Sequence, residues 1–123
     1  MAKIVVVDDE PGMAALLCQC LEEEGHDVAS THEGLQALST MLSSIPDLVL
    51  TDVMMPEMGG APLLTAMQEN AYLQEVPVIL ISAMDQDYVE SVCSGHAAFL
   101  RKPFPMHTLV DTVKQVLGNT GHA

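Results

Sequence analysis

Apolar residues in this chain follow two alternating patterns. Five short runs read as strands: residues 3–9 (KIVVVDD), 26–30 (HDVAS), 46–52 (PDLVLTD), 76–82 (VPVILIS) and 97–102 (AAFLRK). Three of them are continuously apolar, as strands covered on both faces are. Between the runs, apolar residues recur at helical spacing. Met13, Leu16, Leu17, Cys20 and Leu21 mark a first helix, with Pro11 near its start and Gly25 just past its end, where each residue is favoured. Leu35, Leu38 and Leu42 mark a second, and Leu63, Leu64 and Met67 a third whose first turn tolerates Pro62. A weaker pattern around Tyr88, Val89 and Val92 gives a fourth. The cleanest 3.6-residue period belongs to the fifth, through Met106, Leu109, Val110, Val113, Val116 and Leu117.

Strand and helix therefore alternate five times, without internal repeats or low-complexity segments. That order predicts an open, doubly wound α/β fold, a parallel sheet with helices on both faces joined by right-handed crossovers. A ligand site in such a sheet lies beyond the carboxyl ends of the strands, where the strand order reverses. With 123 residues the chain is one domain, read as 1–118 followed by a flexible tail at 119–123.

Composition narrows the partners. The net charge is −13, from 17 Asp and Glu against 4 Lys and Arg, and it repels phosphate backbones and anionic lipid surfaces. Direct binding to nucleic acid or membrane is not expected. Cys18, Cys20 and Cys93 are odd in number, and the first two lie two apart on a helix, pointing to nearly opposite sides, so all three read as reduced packing thiols. No apolar run reaches the ~18 residues of a membrane span and the first strand starts at once, which suggests a cytoplasmic protein. The histidines at 26, 32, 96, 107 and 122 show no ligand spacing and read as surface residues. The Glu22–Glu24 run sits at the end of the first helix, where it opposes the macrodipole.

Chemistry collects where the strands end. The first ends in Asp8 and Asp9, the third in Asp52, the fourth in Ser82 and the fifth in Lys102. Parallel strands bring all five to one edge of the sheet. Carboxylates packed together repel and raise at least one pKa unless a cation neutralises them. Mg²⁺ does so with one or two carboxylates, waters and a phosphate oxygen as its usual ligands. A hydroxyl and an ammonium beside them suit the other oxygens of a phosphoryl group.

The stretches VVVDDEP, PDLVLTDVMMPEMGG, VILISA and AAFLRKPF, in this order and at this spacing, resemble the receiver domain of two-component response regulators along essentially the whole chain. The resemblance implies a flavodoxin-like sheet of order 2-1-3-4-5. It implies that Asp52 is the phosphoacceptor, attacking the phosphorus of a phosphohistidine on a sensor histidine kinase or phosphotransfer protein to form an acyl phosphate. It further implies that Asp9, Asp52 and the backbone carbonyl of Met54 bind Mg²⁺ directly and Asp8 through water. Lys102 and Ser82 would assist the transfer, and the Lys102-Pro103 peptide would be cis. Pro56, Gly59 and Gly60 would turn the chain towards the third helix. Phe99 matches the aromatic switch residue that turns inward on phosphorylation, although a plain core role is a strong competitor. The switch would reshape the face made by the fourth helix, fifth strand and fifth helix, where Asp85, Asp87 and Glu90 suit a basic partner.

Met54 and Met84 occupy the two family positions flanking the phosphoacceptor, and two thioethers there would position water poorly and prolong the phosphorylated state. The methionines at 54, 55 and 58 read as core and loop packing more readily than as a soft binding patch. The output would be a downstream protein partner or an output domain outside this chain, and the receiver itself a monomer or a weak phosphorylation-dependent dimer. Three rivals fare worse. An aspartate-nucleophile phosphohydrolase of the haloacid dehalogenase type needs a second acid where Met54 stands, so no turnover enzyme is expected beyond self-directed phosphotransfer and slow autodephosphorylation. A pseudo-receiver is disfavoured by the complete acidic set. A dinucleotide-binding domain lacks its G-x-G-x-x-G, since DDEPGM follows the first strand.

Overall fold

The computed structural model describes residues 2–55 and 58–119. Five strands and five helices alternate as β1 (Lys3–Val7), α1 (Pro11–Glu23), β2 (Asp27–Thr31), α2 (Gly34–Ser43), β3 (Leu48–Asp52), α3 (Gly60–Gln68), β4 (Val78–Ser82), α4 (Gln86–Val92), β5 (Ala98–Arg101) and α5 (Met106–Asn119). All strand pairs are parallel, in the order β2-β1-β3-β4-β5. The expected flavodoxin-like topology is the one observed. The order reverses between β1 and β3, so the expected crevice lies beyond Val7 and Asp52.

Period-2 alternation along the buried strands sends side chains to opposite faces and builds two cores. Val5, Val7, Val49, Val78 and Leu80 pack with Ala37 and Met41 of α2, Leu63, Leu64 and Met67 of α3, and Val89 of α4. Ile4, Val6, Leu48, Leu50, Ile79 and Ile81 pack with Leu17 and Leu21 of α1 and Leu109, Val113 and Val116 of α5. β3 and β4 are buried at every position, which is why their sequences are continuously apolar. β2 lies at the edge and exposes three of its five residues.

Burial corrects several details of the sequence reading. Leucine spacing located α2, yet Leu35 and Leu42 are exposed, as is Leu16 of α1. α2 instead buries Gly34, Ala37 and Met41, and α1 buries the expected Leu17 and Leu21 together with Ala14, because a close helix-sheet approach selects small residues among the large ones. Cys18 and Cys20 are both half-buried and both pack on the α1-α5 core, and Cys93 is buried; all three are free thiols. Of the histidines, His26 and His96 are half-buried rather than surface residues. His26 Nδ1 accepts a hydrogen bond from Ala2 N at 3.1 Å. Glu24, from the acidic run that caps α1, lies 3.7 Å from Lys114 of α5, which gives one of the three carboxylates a counter-charge. Pro56, His122 and, apart from Asn119 at the end of α5, the expected tail at 119–123 lie outside the described residues.

Candidate functional site

Local structure delivers the polar groups one by one. β1 stops at Val7, and the two following acids diverge as adjacent residues leaving a strand do: Asp8 is buried and Asp9 is exposed. Asp8 Oδ1 accepts from Glu10 N at 2.9 Å, closing the turn into α1. Asp52 is the last residue of β3. Its Oδ1 accepts from Met54 N at 2.9 Å. Ser82 is the last residue of β4, buried, with Oγ accepting from Met84 N at 3.0 Å. Lys102 follows β5, held in register by its N–H donating to the Ser82 carbonyl at 2.8 Å, and its peptide bond to Pro103 is cis.

The loop after β3 depends on two glycines for space rather than for unusual dihedrals. A Cβ on Gly59 would stand 2.4 Å from the Val53 carbonyl oxygen, and one on Gly60 would stand 2.9 Å from that of Asp52. Gly60 N instead donates to the Val53 carbonyl at 3.0 Å, so the chain folds tightly back over the end of β3 into α3. Any side chain at 59 or 60 would push the loop off the strand that carries Asp52.

Lys102 organises the charges. Its Nζ lies 2.8 Å from Asp52 Oδ2, 3.4 Å from Glu10 Oε1 and 3.6 Å from Asp8 Oδ2, with 14% of its side chain exposed. Burial alone would lower the Lys102 pKa. The hydrogen bond and charge of Asp52, with Asp8 and Glu10, outweigh it and hold the ammonium above the usual lysine range. Asp8 shows the opposite balance. Burial is the largest cause of its raised pKa, the neighbouring carboxylates add to the rise, and the Glu10 N–H and Lys102 only partly offset them.

Asp8, Glu10 and Asp52 each offer an oxygen within 4.8 Å of the others. One ammonium faces three carboxylates, and Asp8 Oδ2 is buried with no hydrogen-bond partner among the described residues. An all-oxygen donor set with an orphaned carboxylate oxygen fits a hard divalent cation, which would satisfy that oxygen and offset the excess charge. Glu10, Asp52, Met54, Ser82, Ala83, Met84 and Lys102 line one open cleft of about 190 Å³. Asp8 is tied to this cleft through Lys102, whose Nζ lies 3.6 Å from Asp8 Oδ2.

Of the residues singled out in the sequence, Asp8, Asp52, Ser82, Lys102, Met54 and Met84 thus converge. Asp9 is exposed and is not one of the three clustered carboxylates. Phe99 is half-buried against the α2-α3-α4 core and opposite Leu80 in the β4-β5 register, away from the cleft lining. The methionine group divides: Met55 and Met58 pack on that core, and Met54 is exposed. Glu10 is the residue that sequence reasoning passed over. Its signal was adjacency alone, as the third acid of VVVDDEP just before Pro11 begins α1.

A family model described as the response regulator receiver domain matches residues 4–114, and the chain belongs to that family. PilH of Pseudomonas aeruginosa is 33% identical over 119 residues, which cover 95% of this chain and 98% of PilH. The transcriptional regulatory protein CpxR of Escherichia coli K12 is 38% identical over 119 residues, or 95% of this chain and 50% of CpxR. The chain likewise spans about half the length of other curated relatives it matches. Among solved structures, the receiver domain of a signal transduction histidine kinase from Syntrophus aciditrophicus superimposes with a TM-score of 0.91 at 31% identity, covering 100% of this chain and 95% of that one.

Proposed function

We propose that this receiver takes a phosphoryl group from a phosphohistidine onto Asp52 and, in the phosphorylated state, changes how it binds a partner. The observation that carries the reading is the contact of Lys102 Nζ with Asp52 Oδ2 at 2.8 Å, inside a cleft that also holds Glu10 and Ser82. In the transfer, an Asp52 carboxylate oxygen forms a bond to phosphorus as the phosphorus–nitrogen bond of the donor histidine breaks, leaving an acyl phosphate and a free imidazole. Charge in the transition state spreads over three equatorial oxygens, so placement and electrostatics do most of the work. Lys102 supplies a fixed positive charge there. Ser82 supplies a hydroxyl for a second oxygen, and Ala83 leaves the approach open.

Mg²⁺ is the divalent ion this reading calls for, and when bound it neutralises the acidic cluster and the incoming phosphoryl oxygens. Asp9, Asp52 and the Met54 carbonyl would hold it directly and Asp8 through water, with Glu10 close enough to join the set. Phe99 would couple the cleft to the surface of α4, β5 and α5, turning inward as Ser82 shifts towards the phosphoryl group. That surface carries exposed Tyr88 and Val92 beside Asp85, Asp87 and Glu90, a combination suited to a basic partner with an apolar centre. The partner is a downstream protein or an output domain, and the reaction is self-directed rather than enzymatic turnover. A cytoplasmic setting accords with this role; no helix among the described residues is long and apolar enough to cross a membrane.

Treatment with acetyl phosphate and Mg²⁺ tests the proposal by intact mass. One phosphoryl group is expected, absent when the metal is chelated and absent in Asp52→Asn. Full labelling of Asp52→Asn would refute Asp52 as the acceptor.

A further inference from the structure

We infer that Met54 and Met84 form an oxidation-sensitive modification site at the mouth of the Asp52 cleft, where conversion of these thioethers to sulfoxides by a peroxide shortens the life of the phosphorylated state. The inference rests on the phosphoacceptor reading of Asp52. Its first support is exposure. Met54 is 54% and Met84 40% exposed, and they are the exposed methionines among the described residues. Met41 and Met67 are fully buried, and Met13, Met55, Met58 and Met106 are half-buried. Among the described methionines, a dissolved oxidant therefore meets these two first.

Placement is the second support. Both residues line the cleft that holds Asp52 and Lys102. Their backbones are pinned by the oxygens that matter for the chemistry, Met54 N on Asp52 Oδ1 at 2.9 Å and Met84 N on Ser82 Oγ at 3.0 Å. Each sulfur thus swings on a flexible side chain from a fixed point at the edge of the site. Competing thiols are poorly placed to intercept the oxidant, since Cys18 and Cys20 are half-buried, Cys93 is buried, and burial raises the pKa of all three, which lowers their thiolate content.

The chemistry changes sign on oxidation. A peroxide transfers one oxygen to sulfur as its O–O bond breaks; sulfur loses two electrons, and hydrogen peroxide leaves as water. A thioether accepts hydrogen bonds weakly and covers the phosphoryl group with an apolar wall, whereas a sulfoxide presents a strongly polar oxygen on the same chain. That oxygen can orient a water in line with phosphorus. As the water oxygen bonds to phosphorus, the bond to the Asp52 carboxylate breaks, inorganic phosphate departs and one proton passes to solvent.

The full chain is treated with hydrogen peroxide, mapped by peptide mass, then phosphorylated with acetyl phosphate and followed for phosphoryl loss at constant Mg²⁺. Sulfoxide is expected at Met54 and Met84 before Met13, Met55, Met58 or Met106, with loss of phosphate about fivefold faster than in untreated protein. Methionine sulfoxide reductase should restore the slow rate. A Met54→Leu, Met84→Leu variant, compared with its own untreated rate, should not respond to peroxide. Earlier oxidation of the half-buried methionines, an unchanged lifetime after oxidation at 54 and 84, or an equal peroxide response in the leucine variant each overturns the inference. Untreated protein that never takes up a phosphoryl group overturns the phosphoacceptor reading and the inference with it, an outcome the same mass spectra distinguish.

Discussion

The two ends of the sheet use polar side chains in opposite ways. At the amino ends of the strands, polar groups close the backbone: Asp47 Oδ2 accepts from Lys3 N at 2.8 Å, Lys3 Nζ bonds Ser44 Oγ, and His26 Nδ1 accepts from Ala2 N. Each of these groups has a partner, and the buried His96 Nδ1 just before β5 is the exception at this edge among the described residues. At the carboxyl ends, three carboxylates meet one ammonium and a buried oxygen of Asp8 has no hydrogen bond among the described residues. An arrangement that costs stability persists there because the β1, β3 and β5 ends are held by the two cores beneath them. The contrast teaches that the amino edge serves folding, whereas the carboxyl edge gathers excess negative charge in an acidic cluster that could hold a metal ion.

Substitutions on each edge should separate the two roles. The largest effect belongs to Lys102→Met, which removes the ammonium beside Asp52; phosphoryl uptake from acetyl phosphate should fall about a hundredfold, or ~2.7 kcal/mol in the barrier. A rate within a few-fold of the parent would show that Lys102 is only a structural counter-charge. Asp47→Ala is the matching change at the amino edge. It strands the Lys3 N–H and should lower unfolding free energy in urea by about 1.5 kcal/mol, with the uptake rate unaltered. A change in uptake without a loss of stability would break the proposed division of labour.

Asp8→Asn sharpens the comparison because its sign is reversed. The Asp8 pKa is raised in the fold, chiefly by burial. The group therefore favours folding fully only below its unfolded value, and that contribution is lost as pH rises through the higher folded value. At neutral pH the charged side chain is a liability, so metal-free Asp8→Asn should be about 1 kcal/mol more stable than the parent. The same variant should bind divalent metal less tightly. A destabilised Asp8→Asn would mean that the Lys102 contact outweighs burial.

The smallest effect lies at His26, whose pKa is lowered in the fold, chiefly by burial. A depressed base contributes stability above its unfolded value, near 6.5, which is lost as pH falls through the lower folded value. Protonation also removes the Nδ1 acceptor used by Ala2 N. Thermal melts from pH 7 towards 5 should show the parent losing under about 1 kcal/mol more than His26→Gln. Parallel pH profiles would assign the acid sensitivity of this edge elsewhere.

Much of this protein follows from its sequence because strand burial and helix period are local, repetitive signals. Continuous apolar runs specified β1, β3 and β4, helical spacing located the five helices, and their alternation allowed few topologies beyond a doubly wound sheet. Parallel strands then required Asp8, Asp52, Ser82 and Lys102 to meet, whatever their distance along the chain. Only the tertiary structure decided which side of each element faced inward. It put Ala37 and Met41 inside and Leu35 and Leu42 outside, since the distance between helix and sheet, unlike hydrophobicity, is a property of the whole packing. It also brought Glu10 to Lys102 and left Asp9 exposed outside the carboxylate trio, because a residue just beyond a strand takes its direction from the turn that follows. Local pattern specifies elements and the edge on which groups gather, but the contacts among charges there depend on angles set jointly by two cores and five crossovers.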